Sequence, residues 1–214
     1  MINKLKKPLA ISVVVILAGV ILALTSISLP FSGSAQYSVE FSQLWLCMFA
    51  SVVFAFIYGF IRINRAYAVA IALATLNDLL LGFSLASIAS LVIKGVSELP
   101  VALVFPIIIL LTFVFSFVQS TTVLRSADQL MRTTSRKEKP FAQIADEAPM
   151  QSIKSRLTVL VLSLVFLVAV SFGGQKLLAV TVPLMLSAVA VYFTSSCITS
   201  KIWAVCASSA KLRK

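Results

Sequence analysis

Histidine is absent from this 214-residue sequence, and acidic charge is scarce: seven Asp and Glu stand against 18 Lys and Arg. Without imidazole there is no Ser-His nucleophile pair, no histidine general base and no histidine metal ligand. Cysteine is almost as rare. Cys47, Cys197 and Cys206 lie in apolar stretches, at spacings that match neither a metal site nor a CxxC redox pair, and read as small packing residues. No phosphate loop, metal cluster or nucleophile–base pair can be found, which argues against an enzyme and against a metal or other cofactor. Charged residues of all kinds make up only 12% of the chain, where a soluble domain has about a quarter.

What is abundant is hydrocarbon. The chain is 60% hydrophobic with a mean hydropathy of +1.05, which places it in the membrane class. A helix needs about 20 apolar residues to cross a hydrocarbon core about 30 Å thick. Six segments meet that length, at roughly 9–29, 43–61, 66–93, 100–124, 157–173 and 178–203. The expected fold is therefore an all-α polytopic bundle of six transmembrane helices forming one membrane domain over 1–214. The first segment follows a basic MINKLKK, but its apolar run is too long for a signal peptide and no A-x-A site follows, so it reads as a retained span. Pro106 and Pro183 fall inside spans, where neighbouring helices can satisfy the freed backbone groups. The 125–156 connection is the one sizeable polar segment. Its alternating charge and the prolines Pro140 and Pro149 suggest a partly helical loop that continues the fourth span.

A formal net charge of +11 would suit nucleic acid, but the basic residues are not distributed for that role. If the six spans alternate in direction, 16 of the 18 Lys and Arg fall on the side of the N-terminus and only Lys94 and Lys176 on the other. The positive-inside rule then puts both termini in the cytoplasm, and the charge marks topology and contact with an anionic leaflet.

Asp78 is the one acidic residue inside a span, within ATLNDLLLG. Arg65 lies 13 residues before it and Lys94 16 after, about 20 and 24 Å of helix, so the carboxylate belongs near the bilayer midplane. An ionised carboxylate there costs roughly 2.5–3.5 kcal/mol on insertion scales, so it must be shielded, paired or used. Company is available from Asn77, Thr75 and Ser84 on its own helix, from Ser116, Gln119 and Ser120 on the fourth span, and from Thr194, Ser195 and Ser196 on the sixth. Two readings stay open. Asp78 is a titratable site that takes up and releases protons, or an inter-helix hydrogen-bonding group that fixes packing. Lys154 and Arg156 read first as headgroup anchors of the fifth span, with a cationic counterpart to Asp78 as the alternative, and Lys201 suits snorkelling at a span end.

The order of motifs resembles the SecF family, the six-span half of the bacterial SecD–SecF export accessory complex in the resistance–nodulation–division (RND) superfamily. FSGSAQYSVEF from Phe31 is similar to the family's strand after the first span, and RINRAYAVAIALATLND from Arg62 to its arginine-aromatic turn leading to an aspartate, matched by Asp78. FSFVQSTTVLRSADQL, APMQSIKSRLTVLVLSLVFLVAVSFGG and YFTSSCITSKIW follow in family order. Counted back from Gly173-Gly174, Lys154 stands opposite a family arginine, with Arg156 two residues on. The chain departs from the family in two places: Val118 and Gln119 replace an Asn-Asp pair, and about a dozen residues stand where the family carries a folded extracytoplasmic domain, too few for a packed core.

The resemblance implies a subunit of the bacterial plasma membrane that assists proton-driven protein export. It would act with a SecD-like partner beside a SecYEG- or YidC-like translocon and touch the translocating polypeptide only indirectly. It implies Asp78, Asn77, Gln119, Lys154 and Arg156 as proton-relay candidates, with Ser116, Ser120, Thr194, Ser195 and Ser196 as packing polar groups. The alternatives are a non-catalytic assembly subunit and, with less support, a small-solute transporter, since the Gly/Pro-interrupted half-helices expected of a substrate site are missing.

Overall fold

The structure is a computed structural model and describes residues 9–18, 21, 41–92, 101–133 and 140–211. Within these the chain forms an all-α bundle. Its helices are α1 (Leu9–Ala18), α2 (Phe41–Arg62), α3 (Arg65–Val92), α4 (Val101–Thr133), α5 (Phe141–Gln151), α6 (Ile153–Ser171), α7 (Gln175–Thr194) and α8 (Ser200–Lys211). A single π turn, Ser195–Thr199, joins α7 to α8 without a break. Among the described residues, five helices are long and apolar enough to cross a membrane: Leu44–Arg62, Arg65–Ala89, Pro106–Thr133, Ile153–Ser171 and Val180–Ser208. This is a membrane protein. Of the first expected span, Leu9–Ala18 and Ile21 are described. Its remainder, Lys94 and the connection at 22–40, which holds nearly all of the FSGSAQYSVEF stretch, lie outside the described residues.

The helices follow from unbroken runs of Leu, Ile, Val, Ala and Phe, which leave no backbone group to be satisfied by the surroundings. Interruptions occur where the sequence supplies a reason. Between α2 and α3, the amides of Ile63 and Asn64 both donate to Gly59 O at 3.2 Å, and the chain reverses within two residues. Gly59 allows the two helices to meet closely: a Cβ there would lie 2.7 Å from Ala68 Cα. Small residues at such crossings are the usual means by which membrane helices approach. Gly59→Ala should force α2 and α3 apart and destabilise the bundle by about 1–3 kcal/mol, the range for overpacking. Thermal unfolding in mild detergent checks this, and an unchanged midpoint would contradict the close approach.

α4 runs well past the expected span end, carrying its helix to Thr133, and residues 141–151 of the polar loop fold as α5. Pro140, extended at φ −70° and ψ 153°, starts α5, and buried Ser152 ends it by donating to Ala148 O at 3.0 Å. Ile144, Ala145 and Ala148 form the buried face of α5. They pack against Val123, Leu124 and Ala127 of α4 and Trp203 and Ala204 of α8. This cluster closes the end of the bundle where Arg62, Arg65, Arg125, Arg132, Lys154 and Lys201 also fall, called the basic end below. At the far end the core is Ala86, Ile108, Leu167 and Leu184, with Leu111, Phe115, Val180 and Met185 around it. α3 is the most enclosed of the five long helices, while α2 and α6 turn residues such as Phe49, Phe54, Leu162 and Phe166 outward.

Candidate functional site

The enclosure of α3 settles the setting of Asp78: its side chain is 1% exposed. Oδ2 accepts from Ser116 Oγ of α4 at 2.7 Å, and Oδ1 from Thr194 Oγ1 of α7 at 2.5 Å and Asn77 Nδ2 at 3.3 Å. Asn77 Oδ1 in turn accepts from Ser12 Oγ of α1 at 2.5 Å. The carboxylate is thus held by neutral donors on three helices, with a fourth reached through Asn77.

A second buried charge lies beside the first. Arg156 of α6 is also 1% exposed. Its Nε donates to Gln119 Oε1 at 3.0 Å, and Nη2 lies 2.7 Å from each of Tyr192 O, Ser195 Oγ and Ser196 Oγ. Gln119 returns a bond from Nε2 to Arg156 O at 3.2 Å, and the guanidinium carbon sits 4.7 Å from the Tyr192 ring centroid. Ser116 and Gln119 are three residues apart on α4, and Thr194 and Ser195 are adjacent, so the two clusters are stacked about one turn apart, roughly 4.5 Å of helix rise. The π turn begins at this point, and π bulges within α-helices often mark functional sites. Among the described residues, neither charge makes an ion pair, whereas Arg132 and Asp128 are joined at the surface.

Ser116, Thr194 and Asn77 do meet Asp78. Gln119, offered as a partner for the carboxylate, serves the guanidinium instead, as do Ser195 and Ser196. Ser120 sits 3.4 Å from Thr199 and touches neither charge. Of the two cations offered, Arg156 enters the core and Lys154 stays exposed. Two residues on a helix are separated by about 200°, so only one of the pair can face inward. Ser12 and the carbonyl and ring of Tyr192 were not legible: a lone serine in LAISVVVIL carries no signal, and a backbone acceptor has no sequence identity.

The arrangement can hold or release a proton on Asp78 within reach of a fixed positive charge, inside an enclosed bundle. Among the described residues no group of three or more His, Cys, Asp or Glu could hold a metal ion. Compared with protein-family models, with curated proteins and with solved structures, the chain finds no match in any of the three.

Proposed function

We propose that this protein is a SecF-like subunit that assists proton-driven protein export in the bacterial plasma membrane, with both termini cytoplasmic and a SecD-like chain as partner. The observation that carries this reading is the stacking of buried Asp78 and buried Arg156, each held by hydrogen bonds to uncharged side chains of α4, α7 and the π turn. Proton uptake on an Asp78 oxygen turns the anion into a neutral carboxyl. The attraction between α3 and the guanidinium on α6 then disappears, and the hydroxyls of Ser116 and Thr194 can re-pair with acceptors of their own. Proton release restores it. Alternation between two packings of α3 against α6 and α7 would be passed to the partner half, in the manner of sites enclosed within transporter bundles.

A second reading draws on the same bonds. They tie α1, α3, α4 and α7 together, which suits a non-catalytic assembly subunit in which Asp78 is an adhesion group. Export into inverted membrane vesicles separates the two. The export reading expects stimulation that a protonophore abolishes, and co-purification with a larger SecD-like membrane protein from mild detergent. Stimulation indifferent to the protonophore, with loss of translocon complexes when the chain is depleted, would favour assembly.

A further inference from the structure

The outer groove between α2 and α4 ends in two arginines that have no acidic partner among the described residues. α2 carries Phe54, Tyr58 and Arg62 at four-residue intervals, so they form one stripe along the helix. α4 carries Phe113, Phe117 and, about two turns on, Arg125. Ring contacts set the two helices in register. Phe54 meets Phe113 and Phe117 at 6.0 Å each, and Tyr58 meets Phe117 at 4.9 Å. Continued toward the basic end, the same register brings Arg62 and Arg125 to within about a turn of one level. The Arg125 side chain reaches back, and its Nη2 donates to the Tyr58 hydroxyl oxygen at 3.4 Å.

Both arginines are exposed, and the membrane span of α2 ends at Arg62, which sets them at headgroup depth. The groove below them faces outward: Phe54 is 56% exposed, and Val114 and Val118 beside the rings are open as well. Three other arginines of the described chain are engaged. Arg65 lies over the Phe60 ring at 5.8 Å, Arg132 pairs with Asp128, and Arg156 is enclosed. Among the described residues Arg62 makes no ion pair or hydrogen bond, and Arg125 makes only its bond to Tyr58.

A guanidinium keeps its charge at any accessible pH and presents a planar fork of donors that fits phosphate oxygens in pairs. Basic pockets between membrane helices are places where anionic headgroups bind. The bare pair attracts an anion, and the aromatic groove leading away from it suits hydrocarbon. One molecule satisfies both. Phosphatidylcholine fits poorly, because its own cation would meet two guanidinium groups.

We propose that the α2–α4 groove is a binding site for one anionic phospholipid. Arg62 and Arg125 hold its phosphate, and Phe54, Phe113 and Phe117 line the path of an acyl chain. The Tyr58 hydroxyl, which accepts from Arg125, donates its own hydrogen to the same phosphate. Occupancy fastens the outer face of α2 to α4. The site lies on the outside of the bundle and does not depend on what Asp78 does.

Native mass spectrometry of the full chain, released from mild detergent after titration with dioleoylphosphatidylglycerol or dioleoylphosphatidylcholine, tests this. One phosphatidylglycerol should be retained per chain, with an affinity at least about tenfold above that for phosphatidylcholine. Arg62→Gln and Arg125→Gln keep much of the side-chain stem and should each lower that affinity about tenfold, what one charge-assisted hydrogen bond contributes. Lys154→Ala removes the same charge from an exposed position on α6 and should change it by less than about twofold, since separated surface charges are screened. Equal binding of the two lipids, unchanged affinity in either arginine variant, or an equal loss in Lys154→Ala overturns the site. Glycerophosphate separates a headgroup from a soluble phosphate ester. It should not displace the lipid at matched concentration, and displacement would assign the arginines to a soluble anion and overturn the lipid site.

Discussion

Replacing Asp78 with asparagine is expected to abolish gradient-dependent stimulation of export while the bundle stays folded. Asparagine matches the carboxylate in shape. Its Oδ1 can still accept from Thr194, and its amide can donate to the Ser116 hydroxyl, which rotates to receive it. Stability should therefore change by no more than about 1 kcal/mol, the net worth of one hydrogen bond. What asparagine cannot do is bind and release a proton, and the loss of a positioned proton-transfer group costs at least about 100-fold. Thermal unfolding in detergent and export into vesicles, with and without a gradient, measure the two effects separately. A variant with wild-type stimulation would remove Asp78 from the mechanism and leave it as packing.

The second large effect is expected at Arg156. Arg156→Lys keeps the charge, so the cost of burying a cation is not relieved; it grows, because an ammonium is more strongly hydrated than a guanidinium. The planar fork is lost. In the native chain Nε engages Gln119 on α4 while Nη2 engages Tyr192, Ser195 and Ser196 on the last span. A single ammonium cannot serve both sides, and Gln119 Oε1 is left buried without its donor. The expected cost is about 2 kcal/mol, in the range for a hydrogen bond to a charged group, with stimulation lost alongside. Lys154→Ala provides the comparison: that side chain is exposed, and its removal should shift stability by no more than about 0.5 kcal/mol. Wild-type stability in Arg156→Lys would show that charge alone, without geometry, suffices.

These contrasts explain why the sequence disclosed some features and concealed others. The spans were legible because length and apolarity are properties of contiguous residues. The helix α5 could be anticipated only loosely, since its buried face consists of Ile144 and two alanines, and what those pack on depends on Trp203, some sixty residues later. Asp78 announced itself by the cost of its charge in an apolar run, and Ser116 and Thr194 by lying on neighbouring spans. Which of Lys154 and Arg156 turned inward could not be read from the chain, because that depends on the rotation of α6 about its own axis. The partition of polar partners between carboxylate and guanidinium was hidden for the same reason: Ser116 and Gln119 differ by one helical turn, and only the fold shows that α3 passes the first and α6 the second. The π turn left no mark at all, since SSCIT is unremarkable in composition.

That turn has a geometric consequence for the whole last span. Thr194 and Trp203 are nine residues apart, and in a regular α-helix at about 100° per residue they would point in opposite directions. Tyr67 and Asp78, eleven residues apart on α3, point within about 20° of one another. Two rods so phased could not touch at both levels. One surplus residue in the winding turns everything after it by roughly 100°, enough to swing the indole toward Tyr67 while the threonine keeps its hold on the carboxylate. Trimming a residue from 195–199 would leave the threonine and the indole eight residues and about 80° apart in a regular helix, so Trp203 would stay seated on α5 and only the local bulge beside Arg156 would go.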